Sequence, residues 1–151
     1  MEDPLTRFMR AQGYADYVIE RGIIGFLLPA WEETVRRIEN GYTEELEEYS
    51  NDVDGRHIID ACEPYWRADE RSDIERRLAL VDRRFLGATV PIEDPIWKIN
   101  GLDRSHHFWY FRAPESCLDE YRLTKQIEQV VDGKPPEAPQ PEAAPENRSS
   151  S

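Results

Sequence analysis

Cysteine is scarce in this chain. Cys62 and Cys117 are two residues among 151, too few for a disulfide framework and in keeping with a reducing compartment. Long apolar runs are missing too. The longest, Ile23 to Leu28, is interrupted by Gly25 and is far shorter than the roughly 20 residues a membrane helix needs. Positive charge is in deficit, with 19 Lys and Arg against 31 Asp and Glu and a formal net charge of -12. A surface of that sign repels nucleic-acid phosphates and anionic lipid, and it steers toward cationic proteins. Nucleophile elbow, phosphate loop, dinucleotide fingerprint and paired-cysteine zinc motif are all lacking. The start Met1-Glu2-Asp3 has no positive region leading into an apolar one, so a cytoplasmic location is the expectation.

What is present reads as a mainly α protein. About five helices surround one core, with an irregular or short β-hairpin aromatic segment at 88–114 and a disordered C-terminal tail. The expected division is one helical domain over 1–132 and a tail over 133–151, where Pro, Glu, Ala and Ser dominate and no large apolar residue follows Lys134. Residues 132–151 carry a net charge of -2 (four acids, two bases), which leaves -10 on residues 1–131.

Asp3 and Pro4 suit an N-cap and first helical position. Leu5, Phe8 and Met9 then share a face, which resumes at Tyr14, Tyr17 and Val18, and Gly13 is either a break or a tolerated interior residue. Gly22 is a natural stop. Pro29 starts the next helix, with Trp31, Val35 and Ile38 in one apolar stripe and Glu32–Arg36 and Glu33–Arg37 as i,i+4 pairs. Asn40-Gly41 ends it. Thr43 is the expected cap of a third helix whose inner face holds Leu46, Tyr49, Val53, Ile58, Ile59 and Cys62 before Pro64 closes it. Ser72 and Glu75 match a capping box, and Ile74, Leu78, Val81 and Phe85 keep helical spacing up to Gly87. A last helix opens near Ser116 and runs through Val131 to Gly133.

Between Ala88 and Pro114 the prolines, the Asn100-Gly101 turn and Phe108-Trp109-Tyr110-Phe111 argue for irregular structure. The alternative is a hairpin with strands near Ile96 to Ile99 and His107 to Arg112. Four consecutive rings cannot all face inward on a strand, so an exposed Trp109 beside Arg112 is expected as hot-spot composition.

Metal chemistry has two candidate sets. Ser50 to Ala61 aligns Gly55 with the sixth position of a calcium loop, but Ala61 stands where a bidentate Glu is required, so a solvated helix face is the preferred reading. His57 and Asp60 sit three apart on one helix, and His106 or His107 could join them. Adjacent histidines in an extended segment point to opposite sides, so one of the two is expected to miss. The bland alternative, histidines at the core edge or surface and no cofactor, is preferred.

The strongest compositional feature is acidic. Between Glu32 and Asp54 nine acids face two arginines, a net of -7 over 23 residues. A solubilising surface is the plain explanation, and a footprint for a basic partner is the functional one. Its expected residues are Glu44, Glu45, Glu47, Glu48, Asp52 and Asp54, with Trp109 and Arg112 alongside.

Glu48-Tyr49-Ser50-Asn51-Asp52-Val53-Asp54-Gly55-Arg56, Asp82 to Thr89, Pro95-Ile96-Trp97 and Trp109-Tyr110-Phe111-Arg112-Ala113-Pro114 resemble blocks in a group of small, acidic, uncharacterised bacterial proteins. That resemblance implies a helical bacterial cytosolic protein and carries no site residues. The resulting expectation is a non-enzymatic acidic protein-binding module, with an immunity-type inhibitor of a cationic toxin as its most concrete form. Partners in nucleic acid or membrane are not expected. The rival is a small metal-dependent hydrolase using His57 and Asp60 with His106 or His107, and a third reading is a structural or adaptor subunit.

Overall fold

The computed structural model of the chain describes residues 2–97 and 99–131, apart from the side chains of 129 and 131. Six α-helices dominate it: α1 (Pro4–Ala11), α2 (Asp16–Gly22), α3 (Leu28–Glu39), α4 (Leu46–Ala61), α5 (Ala68–Ala88) and α6 (Leu118–Val131). One small antiparallel sheet pairs β1 (Val90–Pro91) with β2 (Arg112–Ala113), in the register Val90 to Ala113 and Pro91 to Arg112. The chain divides into two compact units at Leu118. In the second, α6 shows Leu123, Ile127 and Val130 exposed. The expected tail and the stop at Gly133 lie outside the described residues, and no described helix is long and apolar enough to cross a membrane.

Local chemistry explains most of the boundaries. The Asp3 carboxylate accepts the Thr6 N–H at 2.8 Å, and Pro4 follows at a position where its missing N–H costs nothing. Gly13 is a break: it takes φ +80°, its N–H returns to the Arg10 carbonyl at 3.0 Å, and α2 begins three residues later. After Gly22, Ile23–Leu27 form a π-helical turn in which the Leu28 N–H bonds the Ile23 carbonyl, so α3 starts at Leu28, one residue before Pro29.

Helix α3 is central and packs against both α4 and α5. Its buried stripe is Leu28, Trp31, Thr34, Val35 and Ile38, and α5 answers with Ile74, Leu78, Val81 and Phe85. Together with Tyr49 of α4 and Trp109 and Tyr110, these rings and branched side chains make the core. The intrahelical pairs expected on α3 give way to cross-helix ones. Glu32 takes Arg77 at 2.7 and 3.0 Å, Glu39 takes Arg84 at 2.8 and 2.9 Å, and Arg37 reaches Asp52 at 2.8 Å. Arg36 pairs with Glu33 instead of Glu32. A guanidinium on a facing helix offers a carboxylate two parallel hydrogen bonds, a geometry few i,i+4 neighbours supply.

Two expected caps move. Glu45, with Leu46 as first residue, replaces Thr43 at the start of α4. Ser72 lies inside α5, which begins at Ala68 because Arg67 is already extended and tied to Asp3 and Trp66 is buried with its indole N–H on the Ile59 carbonyl. Among the described residues the alternative hairpin, with strands near 96–99 and 107–112, does not form, and most of the 88–114 segment is irregular. Phe108–Phe111 is a 3-10 turn that turns Trp109, Tyr110 and Phe111 inward, where a strand would have exposed alternate rings. The Ile92 and Ile96 N–H groups bond the Phe111 and Tyr110 carbonyls, both at 2.9 Å, and hold the segment closed.

Candidate functional site

Helix α4 carries both candidate sites, one at each end. At its N-terminal end the nine acids between Glu32 and Asp54 separate into two groups. Glu32, Glu33 and Glu39 are committed to arginines, and Asp52 to Arg37 and, at 2.6 Å, to the Tyr42 hydroxyl. Asp54 accepts the Tyr110 hydroxyl at 2.6 Å. Both tyrosines are held well above their ordinary pKa, first by burial and then by these carboxylates. The remaining four, Glu44, Glu45, Glu47 and Glu48, are exposed, and no described Lys or Arg forms an ion pair with them.

Asp52 and Asp54 thus stand inside the fold's own network, while four glutamates in five positions form a corner. The charge of Asp52, one turn on, pushes the Glu48 carboxyl pKa up, a mark of concentrated negative potential. The first turn of α4 holds Glu47 and Glu48, where the helix dipole favours them. A depression of about 140 Å³ beside this corner is lined by Arg37, Asn40, Gly41, Tyr42, Thr43 and Glu44. Typical small-molecule sites start near roughly 300 Å³, so this corner suits a surface contact better than an enclosed ligand.

Trp109 and Arg112 are corrected by the structure. Trp109 is 1% exposed, because the 3-10 turn directs it into the core. Arg112 is half-buried and ends α5: its guanidinium donates to the Leu86 carbonyl at 3.0 Å, the Thr89 carbonyl at 2.6 Å and the Thr89 hydroxyl at 2.9 Å. A cation over the last carbonyls of a helix satisfies groups that the helix itself leaves open.

At the other end of α4, His57 and Asp60 meet both histidines of the 106–107 pair. Asp60, His106 and His107 bring one ligand atom each within 4.8 Å of one another. His106 Nε2 lies 3.0 Å from Asp60 Oδ1 and 3.1 Å from Oδ2. The rings of His106 and His107 are 4.6 Å apart, and those of His57 and His107 5.7 Å. Consecutive side chains converge because 103–107 is a turn: the Asp103 carboxylate accepts the His106 N–H at 2.8 Å, and the His107 N–H returns to the Asp103 carbonyl at 2.7 Å. The expectation that one histidine must miss assumed an extended segment. Asp103 is the residue that sequence reasoning passed over, although an Asp three residues before His106 is a turn signal.

His57 Nδ1 is buried without a hydrogen-bond partner among the described residues, and burial, with His107 adding, pushes its pKa below the ordinary value. Cys62, also in this region of α4 and fully buried, has its thiol pushed up to about 11 by burial, which is the behaviour of an inert core thiol. No protein-family model, curated protein or solved structure matches this chain.

Proposed function

We propose that the chain is a non-enzymatic binding protein whose Glu44, Glu45, Glu47 and Glu48 corner engages a cationic protein surface. The observation that carries this reading is the division among the nine acids. Five are engaged by the chain's own Arg and Tyr side chains, and the other four, within five positions, are exposed and form no ion pair among the described residues. Acids that served only solubility would have no need to sit together. Uncompensated charge of one sign on a rigid helix end raises the encounter rate with a basic partner and makes it salt-dependent. Asp52, one turn from Glu48, adds to the negative potential of the corner, and an immunity-type inhibitor of a cationic toxin is the most concrete form. The test is capture by the immobilised chain at low and physiological salt, with captured proteins identified by mass. The reading requires a basic protein that is held by the wild type and lost from the E44Q/E45Q/E47Q/E48Q variant. Equal capture by both contradicts it.

A second reading, a small metal-dependent hydrolase, takes support from the convergence of His57, Asp60, His106 and His107. Turnover of ester or phosphoester test substrates that disappears in D60N would favour it over the binding module.

A further inference from the structure

The geometry points to a binding site for a Zn²⁺-class divalent ion at Asp60, His106 and His107. It lies about 13 residues along α4 from Glu47, roughly 20 Å away at the helical rise, so it is separate from the acidic corner. It needs neither proposed function to be correct, because it claims coordination and no reaction.

Three features carry it. The donor set is two imidazoles and one carboxylate, with ligand atoms mutually within 4.8 Å. That combination suits borderline ions such as Zn²⁺ and disfavours Ca²⁺ and Mg²⁺, which take oxygen. The donors come from two separate stretches, the C-terminal end of α4 and the Asp103–His107 turn, so closure on an ion ties the long 88–114 segment to the helix. Beside them, His57 presents a buried ring nitrogen with no partner among the described residues, a polar atom in the wall of the cluster that nothing in the fold explains.

The cluster also shows what binding must exchange. His106 gives up its contact with Asp60, which then turns one oxygen to the ion. The Asp103 N–H donates to His107 Nδ1 at 2.9 Å, so in the free protein Nε2 carries the proton. An ion on Nε2 with that contact intact would require an anionic ring. Coordination through Nδ1, with the Asp103 N–H released, keeps the ring neutral and sacrifices one exposed hydrogen bond. His106 is 59% exposed at its side chain, so the turn can adjust without disturbing the core. With these three ligands, a tetrahedral ion keeps one position open to solvent.

Purified full-length chain is titrated with Zn²⁺ by calorimetry, and the amide spectrum is followed in parallel. The expected result is one ion per chain, binding weakened at least about tenfold in H106A and in D60N, since even supporting residues of metal sites cost that much. The Asp103 amide resonance should shift on loading, and H106A should retain the wild-type melting temperature without metal. Sub-stoichiometric uptake by the wild type overturns the site, as does affinity unchanged in both variants. Stoichiometric binding that leaves the Asp103 amide unmoved overturns the Nδ1 assignment and with it this cluster as the site.

Discussion

The Arg56 guanidinium grips Asp82 with two hydrogen bonds, Nε to Oδ1 at 3.0 Å and Nη2 to Oδ2 at 2.8 Å, across the space between α4 and α5. Trp31 of α3 donates its indole N–H to the same carboxylate at 2.9 Å. One aspartate thus joins the three central helices. The pair is largely removed from water, with side-chain exposures of 9% and 17%, and the Arg56 cation also lies 4.4 Å from the centre of the Trp109 ring.

Removing the acid strands a buried cation and an indole donor together. D82A is therefore expected to lose about 3–5 kcal/mol of unfolding free energy in urea, while the apolar double replacement R56M/D82L loses less than D82A alone. A D82A variant as stable as the wild type would show that the three helices are held by their apolar stripes without this bridge.

Much of that apolar scaffold was legible in the sequence, and the bridge was not. Ile74, Leu78, Val81 and Phe85 announce α5 by spacing alone, since burial of one helix face imposes its period on the chain. Asp3 and Pro4 mark their helix start because a cap is a contact between residues three apart. Partner choice between helices has no such local signature: nothing near Glu32 specifies Arg77, forty-five residues on. The same limit hid the candidate sites. Strand geometry alone would expose one ring of Phe108–Phe111 and split His106 from His107, and a sequence carries no direct mark of the turns that replace it. The turn at Asp103 brings the histidines together, and the 3-10 turn at Phe108–Phe111 buries Trp109.

Arg67 holds the Asp3 carboxyl down at about 2 from 3.8, chiefly through their hydrogen bond, with the Thr6 N–H adding to it. A depressed carboxylate contributes stability that is full above its unfolded pKa and is lost as pH falls through the folded one. The relevant window runs from just under pH 4 down to about pH 2. Because both side chains are about a third exposed, solvent screens the pair and the expected contribution is under about 1 kcal/mol. D3N keeps an acceptor for Thr6 and loses the charge. It should be slightly less stable than the wild type at pH 7, with the gap closing as pH falls through about 2, in acid-dependent thermal melts.

Arg112 separates stability from recognition. As the group that closes α5 over Leu86 and Thr89, it should cost about 1–3 kcal/mol when replaced by alanine, through charged hydrogen bonds lost and carbonyls left open. Binding of any partner to folded R112A should match the wild type. A binding loss with unchanged stability would return Arg112 to the interaction surface.

Association kinetics reach the acidic corner most directly. With the basic protein recovered on the immobilised chain, the association rate is measured against ionic strength for the wild type and for E44Q/E45Q/E47Q/E48Q. Steering by that corner predicts a wild-type rate that falls steeply with salt and a variant at least about tenfold slower at low salt, the two converging at high salt. Equal rates and equal salt slopes for the two proteins would contradict the account.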